Sequence, residues 1–176
     1  TVTWSDGATM VWDDGKARTA EELIKSPDIE DMFHYVYPTA SAGDLIPDVD
    51  FDPGRIRNEA FFKKLYGASA AAVGHHLTTV KWLPKLGKYP VRITSLFGVD
   101  ARLSKISNAL QDLPVDMRRY GLKPGGGFNW RVIAGTDQLS VHSFGAAFDI
   151  NVGYSDYWFW NKPDSKGRIP FKNRIP

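Results

Sequence analysis

An α+β fold, with a small antiparallel sheet and flanking helices, is what this sequence predicts, and three observations carry that reading. Pro90-Val-Arg-Ile-Thr-Ser95 alternates as a strand does, and directly after it Val99, Leu103, Ile106, Leu110 and Leu113 recur at helical spacing. Gly126 to Ile133 and Ala146 to Asn151 read as further short strands around glycine-containing turns. Before residue 88, helical stretches alternate with proline and glycine breaks. Helices and short strands combined in this way are the α+β pattern.

In chain order, Pro27 to Tyr35, Asn58 to Tyr66 and Ser69 to Trp82 are the expected helices of the first part. Asn58 is a natural N-cap with Glu59 in the first turn, and Gly67 is a natural stop. Residues 1–88 are read as a helical region wrapping the core, and residues 89–176 as the part that bears the site, together one compact domain. The Pro90–Ser95 strand then leads into the apolar stripe, whose five residues are expected in the core. The Gly126 to Ile133 strand passes through an Ala134-Gly-Thr-Asp turn and the His142 loop to the last strand. Neither an internal repeat nor a low-complexity linker interrupts the chain.

At 176 residues the chain is long enough for one well-packed domain, and 43% hydrophobic with 13% aromatic residues is a globular composition rather than a disordered one. A net charge of +2, without an arginine-rich run or an aromatic-basic stripe, leaves no electrostatic footprint for nucleic acid. No stretch approaches the roughly 20 apolar residues of a membrane span. The sequence opens at Thr1 with neither a methionine nor a signal-like segment, so a mature or trimmed N-terminus is the expectation. The absence of cysteine excludes disulfides and thiolate zinc ligands and leaves the redox compartment open.

The chemistry concentrates in Ser140-Val-His142-Ser-Phe-Gly145-Ala-Ala147-Phe-Asp149, where an imidazole and a carboxylate stand seven residues apart around a glycine turn. Borderline-soft zinc takes histidine nitrogen and carboxylate oxygen, and a catalytic zinc takes three protein ligands with a fourth position for water or substrate. His142 and Asp149 are the expected metal ligands. In an extended Ala146 to Asn151 segment, Ala147, Asp149 and Asn151 share one face, while Phe148 and Ile150 point to the core. Ala147 leaves room for a metal and its water, and Gly145 permits the turn that brings His142 back. Taken singly, a loop histidine is ordinarily a surface residue and a strand-end aspartate a turn or cap.

The pattern as a whole is far more specific, and it resembles the signature of the zinc D-alanyl-D-alanine carboxypeptidase family. That family includes the vancomycin-resistance D,D-dipeptidases, the L-alanyl-D-glutamate peptidases and phage endolysin peptidases. The likeness continues through Gly126-Gly-Phe-Asn-Trp-Arg131-Val-Ile-Ala-Gly-Thr136, Ile150-Asn-Val-Gly-Tyr154 and Tyr157-Trp158. Upstream, Met10-Val-Trp-Asp-Asp-Gly15, Pro27-Asp-Ile-Glu-Asp-Met32, Tyr37-Pro38 and Pro53-Gly-Arg-Ile-Arg57 resemble one bacterial branch, so nearly the whole chain is covered. The resemblance implies a Hedgehog/D,D-peptidase-like fold, a zinc cofactor, hydrolysis of peptidoglycan stem peptides and a periplasmic or secreted location.

It also implies a second histidine near the C-terminus, preceded at three residues by an acidic general base. The sequence stops at Asn173-Arg-Ile-Pro176, where relatives continue into that segment, so a chain ending there is expected to be inactive. Asp31-Met-Phe-His34 has the same spacing, but Ile29, Met32, Phe33 and Val36 mark an amphipathic helix on which His34 is simply a partly buried or surface residue. His75-His76 point to different faces of an alanine-rich stretch.

Arg131 is the expected catalytic side chain. An alternating strand would place Asn129, Arg131 and Ile133 on one side, with the guanidinium over the metal cleft. Arginine holds a carboxylate bidentately and never deprotonates, so it suits a substrate terminus or the oxyanion of a tetrahedral intermediate; a surface salt bridge is the alternative. The resemblance assigns an arginine upstream of the histidine to the same role. Asn129, Ser140 and Ser143 are candidates to hydrogen-bond a metal ligand, shape the loop or touch substrate. A nucleophilic serine is not expected, because no histidine and acid complete a triad. Asp137 reads as a turn cap or a partner of Arg131.

Two further features have ordinary explanations. The aromatic cluster Tyr154, Tyr157, Trp158, Phe159 and Trp160 is either core or a cleft wall. Gly125-Gly126-Gly127 lacks the lysine and helix of a phosphate loop and reads as a turn. The functional expectation is therefore a zinc metallopeptidase of the carboxypeptidase or endopeptidase kind, with a non-catalytic cell-wall-binding module that keeps the fold as the alternative.

Overall fold

The computed structural model describes residues 1–35, 48–51, 54–157, 160–170 and 174–175. Val36, Tyr37, Pro38, Pro53, Trp158 and Phe159, on which the sequence reading drew, lie outside them. The chain is mixed helix and small antiparallel sheets, in agreement with the α+β expectation. It divides into two compact units, one formed by Thr1–Phe61 with Asp156–Arg174 and the other by Phe62–Ser155. Residues 62–88, grouped by sequence with the N-terminal region, thus lie in the unit that carries His142 and Asp149.

In the first unit a short hairpin pairs β1 (Val2–Thr3) with β2 (Thr9–Met10). Helix α1 (Ala20–Lys25) follows, started by a capping box in which Thr19 and Glu22 satisfy each other's backbone N–H groups. The Pro27 to Tyr35 helix is reduced to a 3-10 turn, Glu30–Phe33. Asp28 and Asp31 each accept the other's backbone N–H, at 2.9 and 2.8 Å, a reciprocal cap at the start of that turn.

Arg18 gathers Asp14 (2.7 Å), Asp31 (2.9 Å) and Asp28 (3.5 Å) around one guanidinium. Asp31 is therefore committed to Arg18, and His34 packs edge-on against Tyr35 at 4.7 Å. The Asp31/His34 spacing has no metal geometry behind it.

Helix α2 (Glu59–Tyr66) forms as the sequence predicts, with Asn58 Oδ1 accepting the Phe61 N–H at 2.9 Å. Gly67 ends it at a φ of +124°, where an added Cβ would stand 2.8 Å from Val73 N. The expected helix from Ser69 to Trp82 is only α3 (Ala70–Gly74); Leu77–Trp82 is instead strand β3. It pairs antiparallel with β4 (Tyr89–Thr94), from Leu77 opposite Thr94 to Trp82 opposite Tyr89. Alternating Leu77-Thr-Thr-Val-Lys-Trp82 buries Val80 and Trp82 on one face together with Val91 and Ile93 of β4. His75 and His76 fall at the helix-to-strand corner, exposed, with the His76 carbonyl accepting Ser95 N–H and Oγ.

Helix α4 (Val99–Leu110) lies on this hairpin. Leu103 and Leu110 pack against the Trp82, Leu83 and Val91 cluster, but Ile106 is 52% exposed, contrary to the expected stripe. Ser107 and Gln111 take the buried positions instead. Ser107 Oγ accepts the Leu83 N–H at 2.7 Å and Gln111 Oε1 the Lys85 N–H at 2.6 Å, so the helix caps the amides left open where β3 ends.

After the short α5 (Val115–Arg118), β5 (Pro124–Gly126) pairs antiparallel with β6 (Asp149–Asn151). Phe148 and Ile150 point into the core as predicted, and Phe148 meets Trp82 edge-on at 4.6 Å. Such a contact contributes about 0.5–1.5 kcal/mol beyond burial.

Candidate functional site

Gly127 sets the site. The expected Gly126 to Ile133 strand stops at Gly126, and the chain passes so close to β4 that a Cβ on Gly127 would collide with the Arg92 carbonyl. Phe128 N–H donates to that carbonyl at 2.8 Å, which holds the crossing. The Gly127 carbonyl then turns to His142 and accepts from Nδ1 at 2.7 Å. The glycine run is more than a turn. The close approach of a second backbone gives the last of them a structural role.

His142 lies in the 3-10 turn Val141–Phe144, begun by Ser140, whose Oγ accepts the His142 N–H at 3.3 Å. Gly145 ends the turn at a φ of +62°, and its carbonyl accepts the Thr94 N–H of β4 at 2.9 Å. The left-handed backbone favours glycine there, and a Cβ would also crowd the Thr94 N of β4 at 3.1 Å. Beneath the turn, buried Phe144 packs against Phe62 at 5.4 Å and Trp130 at 6.2 Å. The loop carrying His142 is thereby fixed on a rigid base.

Strand β6 brings Asp149 to the other side of the imidazole, with His142 Nε2 and Asp149 Oδ2 3.3 Å apart. A carbonyl oxygen only accepts, so Nδ1 carries the proton, and in the neutral ring Nε2 presents a lone pair to a carboxylate oxygen. Two acceptors at that separation call for a proton or a metal ion between them. The His142 side chain is 13% exposed and that of Asp149 52%, which leaves the pair open on the aspartate side.

The remaining predicted residues gather here through their backbones. Ser143, fully buried, accepts the Arg131 N–H at 2.9 Å and donates toward the Arg131 carbonyl at 2.8 Å and the Asn129 carbonyl at 3.3 Å. Ser140 N–H reaches the Arg131 carbonyl at 2.9 Å, and Asn129 N–H the His142 carbonyl at 3.0 Å. Ser140 and Ser143 therefore fasten the 129–131 segment and the His142 turn to each other. Arg131 and Asn129 are exposed; the Arg131 guanidinium reaches the Val132 carbonyl at 3.4 Å and forms no ion pair among the described residues. Thr136, not Asp137, closes the following turn, through bonds to Ile133 O and Gln138 N.

His142 and Asp149 are donors of the types that zinc takes. Among the described residues, sets of three or more such groups close enough to share an ion occur only as Asp13, Asp14 and Asp28, and as Asp28, Glu30 and Asp31. Both lie in the other unit, where Arg18 already pairs with Asp14 and Asp28. The His142–Asp149 pair has no third such group beside it among the described residues. The Gly127 carbonyl fixes the orientation of the His142 ring through Nδ1.

In the aromatic cluster, Tyr154 meets Tyr120 at 4.8 Å, and Tyr157 meets Trp160 at 5.1 Å with Trp160 82% exposed. No helix among the described residues is long and apolar enough to cross a membrane. Comparison with protein-family models, with curated proteins and with solved structures gives no match to this chain.

Proposed function

We propose that this chain carries the core of a zinc-dependent peptidase that hydrolyses peptidoglycan stem peptides, as a D,D-carboxypeptidase or an L-Ala-D-Glu endopeptidase, in the periplasm or outside the cell. The observation that carries the proposal is His142, anchored through Nδ1 to the Gly127 carbonyl with Nε2 turned to Asp149 Oδ2 at 3.3 Å. The S-x-H-x-x-G-x-A-x-D resemblance supplies the substrate class. His142 and Asp149 would hold zinc, with a third ligand and an acidic base from outside residues 1–176.

Bound zinc lowers the pKa of its water and polarises a carbonyl. The chain's own residues prepare the rest. The Gly127 carbonyl keeps the Nε2 lone pair directed at the metal position. Arg131, unpaired with any acid among the described residues, offers its fork to a substrate carboxylate or to a developing oxyanion. Ser143 keeps that arginine's backbone in place.

Elemental analysis of dialysed protein tests the reading. Protein that also carries the third ligand should retain zinc that a chelator removes, and its His142→Ala and Asp149→Ala variants should each lose it without loss of fold. Equal zinc content in all three proteins would overturn the metal site.

A further inference from the structure

We propose that Arg119, held on the rings of Tyr120 and Tyr154, binds a carboxylate of the peptide acted on at the His142–Asp149 pair. The ligand's identity rests on the peptidase reading; the site rests on Arg119's own surroundings. Residues 119 and 120 are tied to β6, because Asn151 donates its backbone N–H to the Tyr120 carbonyl (3.2 Å) and its side-chain amide to the Arg119 carbonyl (3.0 Å). Asn151 follows Asp149 by two residues, about 7 Å along a strand and on the same face. The backbone that bears Arg119 is thus tethered to the strand that supplies the carboxylate of the candidate metal site.

The direct contacts of the guanidinium are with neutral groups. Its carbon lies 4.9 Å from the Tyr120 ring centre and 6.0 Å from that of Tyr154, and Nη2 donates to the Tyr120 hydroxyl at 2.9 Å. Asp116 acts on it only from beyond ion-pair distance, and no acid pairs with it among the described residues. Arg119 is exposed, so its remaining N–H groups face solvent. A guanidinium oriented by aromatic rings without a resident anion is pre-set for bidentate capture of a carboxylate. Stem peptides offer free carboxylates, and the C-terminal amide of N-acetyl-D-alanyl-D-alanine has none.

The test is a calorimetric titration of the full chain with N-acetyl-D-alanyl-D-alanine and with its C-terminal amide. Wild type should bind the acid at least about tenfold more tightly than the amide. Arg119→Gln should cut that difference several-fold while keeping amide affinity and melting temperature, and Arg119→Lys should restore part of it. Failure of wild type to bind the acid or to prefer it, or undiminished acid binding in Arg119→Gln, would overturn the proposal. Zinc content read on the same proteins separates it from the reading beneath it. Arg119-dependent acid binding in a protein whose zinc ignores His142→Ala would overturn the metal site and keep the carboxylate site.

Discussion

Replacing Ser143 by alanine removes the side chain that clasps the Arg131 segment to the turn bearing His142. The cost follows from which bonds survive. The Arg131 carbonyl keeps the Ser140 N–H at 2.9 Å, so it stays satisfied. The Arg131 N–H loses its acceptor at 2.9 Å. A donor stranded in a partly buried place costs about 1–3 kcal/mol, and the change from hydroxyl to hydrogen leaves little cavity, so about 2 kcal/mol is expected. With a urea slope of about 2 kcal/mol per molar, the unfolding midpoint should fall by about 1 M. Exchange protection of the Arg131 amide should fall by about 30-fold. Ser140→Ala, which removes only a cap bond of 3.3 Å, should cost about half as much. A Ser143→Ala midpoint within about 0.2 M of wild type, with Arg131 exchange unchanged, would refute the clasp.

Two other outcomes follow from the same geometry. Gly127→Ala drives a methyl into the Arg92 carbonyl and displaces the acceptor of His142 Nδ1, so it should cost at least about 1–3 kcal/mol in thermal unfolding and abolish zinc uptake; wild-type melting with wild-type zinc would contradict this. The Arg18 hydrogen bond holds the Asp14 carboxyl down at about 2, against an ordinary 3.8. Because the folded value lies below the unfolded one, this stabilisation is complete above about pH 4 and disappears as pH falls through about 2. Urea midpoints measured across that window should decline, and Asp14→Asn should decline less; parallel curves would remove Asp14 from the account.

What the sequence revealed depended on whether the signal was local. Helix α2 was legible from Asn58 and Gly67 because a cap and a stop act within one turn. The inward pointing of Phe148 and Ile150 was legible because a strand's period is two. Beyond Ser69, the alanine-rich start masked the alternation of β3, whose stability comes from pairing with β4 and from the burial of Val80 and Trp82. Ile106 and Ser107 exchanged their expected places because Ser107 answers an amide at the end of β3, a partner no helical period encodes. The His142–Asp149 pair was visible as a motif. The Gly127 carbonyl was not, since it acts through backbone that carries no residue signal.

Ser107 and Gln111 have a consequence for how the helix finds its place. An apolar helix laid on an apolar hairpin can slip by a turn at little cost, since one aliphatic contact substitutes for another. Two acceptors one turn apart on α4 meet two donors two residues apart after β3, Leu83 N–H and Lys85 N–H. A slip in either direction would set at least one of those donors against hydrocarbon, at about 1–3 kcal/mol for each one stranded. The polar pair therefore acts as a key rather than as glue. It gives the helix a single address on the hairpin, and the leucines beside it supply the adhesion once that address is found.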